Sequence, residues 1–98
     1  MPLPIVRHIQ DLHAITASDR ANLFELFTKE IPGIEGIGLA VGELDPGRAA
    51  NPHRHDVSQE IYFVVSGFGR VHVGGEMKPI GPLDAVYIPT GCVHALEN

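Results

Sequence analysis

Three histidines and one glutamate are spaced in this sequence as a metal site requires. His53 and His55 lie two apart in the run Asn51-Pro52-His53-Arg54-His55-Asp56-Val57-Ser58-Gln59-Glu60. Side chains alternate along an extended backbone, so both imidazoles point to one face and can reach one ion. Glu60 opens the next apolar run and can add a carboxylate oxygen from a neighbouring rung. His94 lies far along the chain, just after the turn signal Pro89-Thr90-Gly91. Such a donor set suits one divalent Mn, Fe, Co, Ni, Cu or Zn ion. Four protein ligands leave an octahedral ion two positions for water, dioxygen or a chelating substrate. Structural zinc sites are usually closed and rich in thiolate, and this set has no cysteine.

Short strands are the elements that must hold these donors. Ile37, Leu39 and Val41 alternate with small residues, and Asp45-Pro46-Gly47 stops the run. Ile61 to Val65 is a continuous apolar run suited to a buried strand. Arg70 to Val73 leads into Gly74-Gly75, a hairpin signal, with Met77 to Ile80 as the return strand. Pro82 and Asp84 turn the chain again, and Ala85 to Ile88 makes one more strand. Strands spaced near ten residues with Gly and Pro punctuation predict an all-β sandwich or barrel. The first thirty residues read less clearly. Ile5 to Ile9 has the makings of a short strand. Ala21 to Phe27 fits a helix capped by Ser18 or Asp19 as well as it fits a strand, because periodicity does not resolve short apolar runs.

The 98 residues fit one domain, whose small core gains from a metal, a partner subunit or both. The net charge is -5 and no Lys/Arg stripe exists, which argues against nucleic acid and anionic membrane as partners. No stretch has the length of a membrane span or the form of a signal peptide. The single cysteine, Cys92, excludes an internal disulfide, so a reducing cytoplasm is the expected location.

At these residues the sequence resembles the cupin superfamily of small metal-binding barrels. The family's first motif reads here Gly47, His53, His55, Glu60 and Gly67. The second closes with Pro89, Gly91, His94 and Asn98, and every spacing is met. The glycine that normally opens the second motif is replaced by Leu83, so the turn before Asp84 is expected to be reshaped. Family members usually continue with strands after the motif Asn, whereas this sequence ends at Asn98, which leaves a barrel edge to be covered by a neighbouring subunit or a smaller barrel. The resemblance spans roughly residues 34–98. It implies a jelly-roll β-barrel over 34–98, with residues 1–33 packing on or extending it through a short helix or an extra strand, one domain overall.

The resemblance also implies His53, His55, Glu60 and His94 as ligands of one divalent transition metal. The expected activity is small-molecule chemistry of dioxygenase, isomerase or lyase type, with dioxygenase first among them. The alternatives are a non-catalytic metal- or ligand-binding module and a metal that only holds a short chain together. Glu60 would tune the ion and serve as a base on detaching. Tyr62 and Val64 share its phase, so Tyr62 is the second catalytic candidate, against an ordinary role as a core aromatic with its hydroxyl at the rim. Ile61, Phe63 and Val65 take the opposite, normally solvated face, which points to a covering segment or a homodimer. His8, His13 and His72 read as surface histidines. Cys92 reads as a small buried residue or a thiol near the ion, and Arg48 and Arg54 as solvated side chains or guides for an anionic substrate.

Overall fold

The computed structural model describes residues 4–17 and 21–98, which form two compact units, one within residues 4–43 and the other residues 44–98. Apart from one 3-10 turn, the regular elements are strands, and all their pairings are antiparallel. None of the described residues form a helix long and apolar enough to cross a membrane.

In the first unit β1 (Ile15–Thr16), β2 (Asn22–Phe27) and β3 (Leu39–Glu43) form one sheet in that order. The ambiguous run at 21–27 is therefore a strand. Pairing decides it: Leu23 lies opposite Gly42 and Phe24 opposite Val41, a long-range partner that local periodicity does not reveal. The proposed cap residues Ser18 and Asp19 lie outside the described residues. The short strand expected at Ile5 to Ile9 does not form. The His8 imidazole accepts the Gln10 N–H at 3.0 Å, and the chain tightens into a 3-10 turn at Ile9–Asp11 instead.

The second unit carries the donors. β4 (Glu60–Phe63) pairs with β7 (Ala85–Ile88), while β6 (Glu76–Ile80), β5 (Gly69–Val73) and β8 (His94–Glu97) form a second sheet in the order β6-β5-β8. Gly74, in the left-handed region at φ 64°, turns the β5–β6 hairpin. The strand at 94–97 has no clear periodic signature of its own. It exists because both edges are occupied: β5 pairs on one side, and on the other the segment 47–53 bonds to it through Gly47 N to Asn98 O, Ala50 N to Leu96 O and a bridge at His53. The Asn98 side chain then donates to Leu44 O at 2.6 Å, tying down the turn that leads to the ligands. Ala50, Val71 and Ile88 are the buried apolar residues among those described, a small core for a chain of this length.

The turn before Asp84 closes with Leu83 at the position of the motif glycine. Asp84 N bonds to Gly81 O at 3.1 Å, with Pro82 and Leu83 between them. This is a type II arrangement, whose third position needs positive φ. Leu83 adopts φ 71°, the positive-φ residue among those described that is not glycine.

Candidate metal centre

The backbone fixes the candidate ligands before their side chains meet. His53 N bonds to His94 O at 2.9 Å and His94 N returns the bond to His53 O at 2.8 Å. Gly91 N bonds to His55 O at 2.8 Å, so the turn at 89–91 grips the other end of the His-x-His segment. Gly91 sits at φ 81°, which only glycine adopts without strain. Glu60 opens β4 opposite Ile88, the residue that leads into that same turn.

Four donor atoms converge as a result. One ligand atom from each of His53, His55, Glu60 and His94 lies within 4.8 Å of the others. The ring centroids of His53 and His94 are 4.2 Å apart, those of His53 and His55 5.2 Å, and those of His55 and His94 5.5 Å. His94 is 1% exposed, and the other three candidate ligands are half-buried.

Two main-chain carbonyls set the imidazole tautomers. His53 Nδ1 lies 3.1 Å from Asn51 O, and His94 Nδ1 lies 3.0 Å from Cys92 O. A carbonyl can only accept, so in each ring Nδ1 carries the proton and donates it. The Nε2 lone pair is then left for the interior, the arrangement that orients metal-binding histidines. Sequence reasoning missed both carbonyls, although each stands two residues before its histidine.

The interior nitrogens are left unsatisfied by the protein itself. His55 Nε2 and His94 Nε2 are buried and make no hydrogen bond. Glu60 approaches them at 2.9 and 3.6 Å, but without hydrogen-bond geometry. Buried polar atoms without partners are costly. A divalent cation satisfies both nitrogens and the carboxylate together, so the residues present fit such an ion. With three neutral imidazoles and one carboxylate, the site would keep a net charge of about +1.

Tyr62 stands next to this cluster, its ring centroid 6.0 Å from that of His94 and its side chain half-buried. Cys92 lends its carbonyl to the site, and its thiol is free and half-buried. Arg54 pairs with Asp56 at 3.2 Å in the solvent, and Arg48 is exposed. His72 lies on the far face of β5, bonded to Glu97. His8 and His13 belong to the first unit.

A family model described as a cupin domain matches residues 40–98. The chain belongs to the cupin family. Its nearly all-β architecture has the cupin fold. It superimposes with a TM-score of 0.83 on a predicted oxalate decarboxylase from Thermotoga maritima, at 25% identity over 96% of this chain and 87% of that one. Over 53 residues, 54% of its length, this cupin is 40% identical to the mannose-1-phosphate guanylyltransferase ManC of Salmonella typhimurium, covering 11% of that protein. Over 67 residues, 62% of its length, it is 34% identical to a 5-nitrosalicylic acid 1,2-dioxygenase from Bradyrhizobium sp, covering 32% of that protein. The matched parts thus span between a tenth and a third of these two relatives.

Proposed function

We propose that this cupin is a metal-dependent enzyme acting on a small molecule, with one divalent first-row ion held by His53, His55, Glu60 and His94. The observation that carries the reading is the pair of buried, unbonded Nε2 atoms facing one carboxylate. When bound, such an ion supplies Lewis-acid polarisation of a chelated oxygen, activation of bound water, or a place for dioxygen beside the substrate. The chain's own residues do the positioning. Asn51 O and Cys92 O hold the His53 and His94 rings, and the reciprocal bonds between residues 53 and 94 fix their separation. Glu60 lowers the charge of the site and can take a proton when it swings free. Tyr62, one rung along the same strand face, orients substrate with its hydroxyl. Among dioxygenase, isomerase and lyase chemistries we place dioxygenase first, on the likeness to the nitrosalicylate enzyme. Decarboxylation, a lyase reaction, follows on the likeness to the oxalate protein.

Metal analysis of untagged protein tests the site: about one first-row ion per chain is expected, and His53→Ala or His94→Ala should abolish it. Full occupancy in both variants would end the assignment. Oxygen uptake and product analysis with small hydroxy-aromatic and dicarboxylic acids test the chemistry. Turnover that His55→Ala removes supports an enzyme. A second reading, a non-catalytic cupin module whose metal mainly stabilises the chain, is favoured by the small buried core. It requires a metal-loaded protein that binds ligand and never turns it over.

A further inference from the structure

Among the described residues β6 and β7 are both edge strands, β6 bonded to β5 and β7 to β4, with no ladder between them. A cavity of about 350 Å³ lies where they approach, and Val71, Lys78, Ile80, Asp84, Val86 and Tyr87 line it. None of the four candidate metal ligands does. Part of the lining is buried and apolar. Val71 is 4% exposed, and Val86 lies opposite Tyr62, on the inner face of β4·β7. Lys78 stands opposite Val71, so its side chain leaves β6 on the same inner face.

Two opposite charges in this cavity are unmatched. Lys78 forms no ion pair or side-chain hydrogen bond among the described residues. Asp84 accepts the Gly81 N–H at 2.8 Å with Oδ2, and its Oδ1 has no partner among them. We infer that the cavity binds a free α-amino acid with an apolar side chain. Lys78 takes the carboxylate, Asp84 Oδ1 takes the ammonium, and the side chain lies over Val71 and Val86. Charge selects this class. A plain carboxylate would meet Lys78 but also face Asp84, in a chain that carries -5. A plain amine would face Lys78. A ligand with both charges meets each with its opposite. Size agrees, because the cavity is at the low end of the roughly 300–1,000 Å³ of small-molecule pockets. An extended peptide fits less well. It would add to the edge of β6, where Pro79 has no N–H to offer and Lys78 blunts pairing. Both charged side chains are exposed, so solvent screens them and the affinity is expected to be modest, with Kd on the order of 1 mM.

The test is an NMR titration of the full chain with L-leucine, 4-methylpentanoate and isopentylamine, three probes that share one apolar body. Leucine should give saturable amide shifts at 78–80 and 84–87, and each half-charged probe should bind at least about threefold more weakly. Lys78→Gln should erase the preference for leucine over isopentylamine. Asp84→Asn, which keeps an oxygen for the Gly81 N–H, should erase the preference for leucine over 4-methylpentanoate. Should either variant not fold, the ranking of the three probes on the wild type decides. No saturable shift with leucine at roughly 20 mM, well above a millimolar Kd, overturns the inference. So does 4-methylpentanoate or isopentylamine binding the wild type as tightly as leucine. Unchanged preferences in folded variants overturn it too, leaving Lys78 as a charge that only protects a strand edge. Shifts confined to residues 53–60 and 94 would place the amino acid on the metal site and likewise end it. His53→Ala, which should abolish metal binding, should bind leucine like the wild type, so this inference and the proposed function fail separately.

Discussion

Among the described residues of the second unit, Glu97 and Glu60 each lie close to histidine, and the two clusters behave differently. On the outward face of β5·β8, His72 Nε2 donates to Glu97 Oε1 at 2.7 Å, and Arg70 Nε stands 3.4 Å from the same oxygen. That carboxylate has a hydrogen-bonded histidine and a nearby guanidinium. The hydrogen bond from His72 holds the Glu97 carboxyl below its ordinary value; partial burial opposes this, and the nearby Arg70 charge helps it. In the interior, His55 and Glu60 come almost as close, at 2.9 Å, yet Nε2 is unbonded and a second buried Nε2, from His94, shares the carboxylate. The residue types are the same. The difference is that the outward histidine has a hydrogen bond to its carboxylate and the interior Nε2 atoms have none.

The largest expected effect separates the pairs directly. At a metal concentration of about a hundred times Kd, binding adds about 2.7 kcal/mol to stability. His94→Ala should remove that gain, so that added metal no longer raises Tm. His72→Ala should keep it and bind metal like the wild type. Equal loss in both variants would mean that the interior cluster is not the metal site. Glu60→Gln comes next. It keeps the size of the side chain and removes its charge, so metal affinity should fall by at least the roughly 10–100-fold that loss of an outer partner costs. Glu97→Gln should leave metal affinity, read by calorimetric titration, unchanged. An affinity that fell equally in both would erase the distinction drawn between the two pairs.

The convergence of His53, His55, Glu60 and His94 was legible in the sequence because their spacing and the turn at 89–91 bring them together. Gly91 takes a conformation that few other residues adopt, and His53 and His55 share a face by simple alternation. The strand at 94–97 and the two orienting carbonyls were not legible, because they depend on partners 20 to 50 residues away or on main-chain atoms common to every residue. β2 was undecided for the same reason: its partner, not its composition, makes it a strand. Leu83 is the informative departure. It is 74% exposed and holds a left-handed conformation that costs an L-residue roughly 1–2 kcal/mol. Leu83→Gly relieves that cost but adds freedom to the unfolded chain, for a net gain of about 1 kcal/mol. A higher Tm with unchanged metal affinity is expected. Unchanged affinity would show that the turn before β7 serves stability, apart from both histidine–carboxylate pairs.

The smallest effect belongs to the outward pair and concerns pH. Glu97 is depressed in the folded protein, so its share of stability is fully present above the ordinary glutamate value. That share is lost as pH falls through the lower folded value. The window therefore lies below about pH 4.5. Metal-free protein is the right sample, because acid also strips ligands from the interior site. Thermal melts between neutral pH and pH 3 should show the wild type losing slightly more stability than Glu97→Gln once the carboxylate titrates, and no difference in slope above that window. His72→Ala, which removes the principal cause of the shift, should flatten the same part of the curve. A wild-type and Glu97→Gln pair with parallel profiles down to pH 3 would show that the outward hydrogen bond is not maintained in solution, leaving the interior pair with no satisfied counterpart to be compared with.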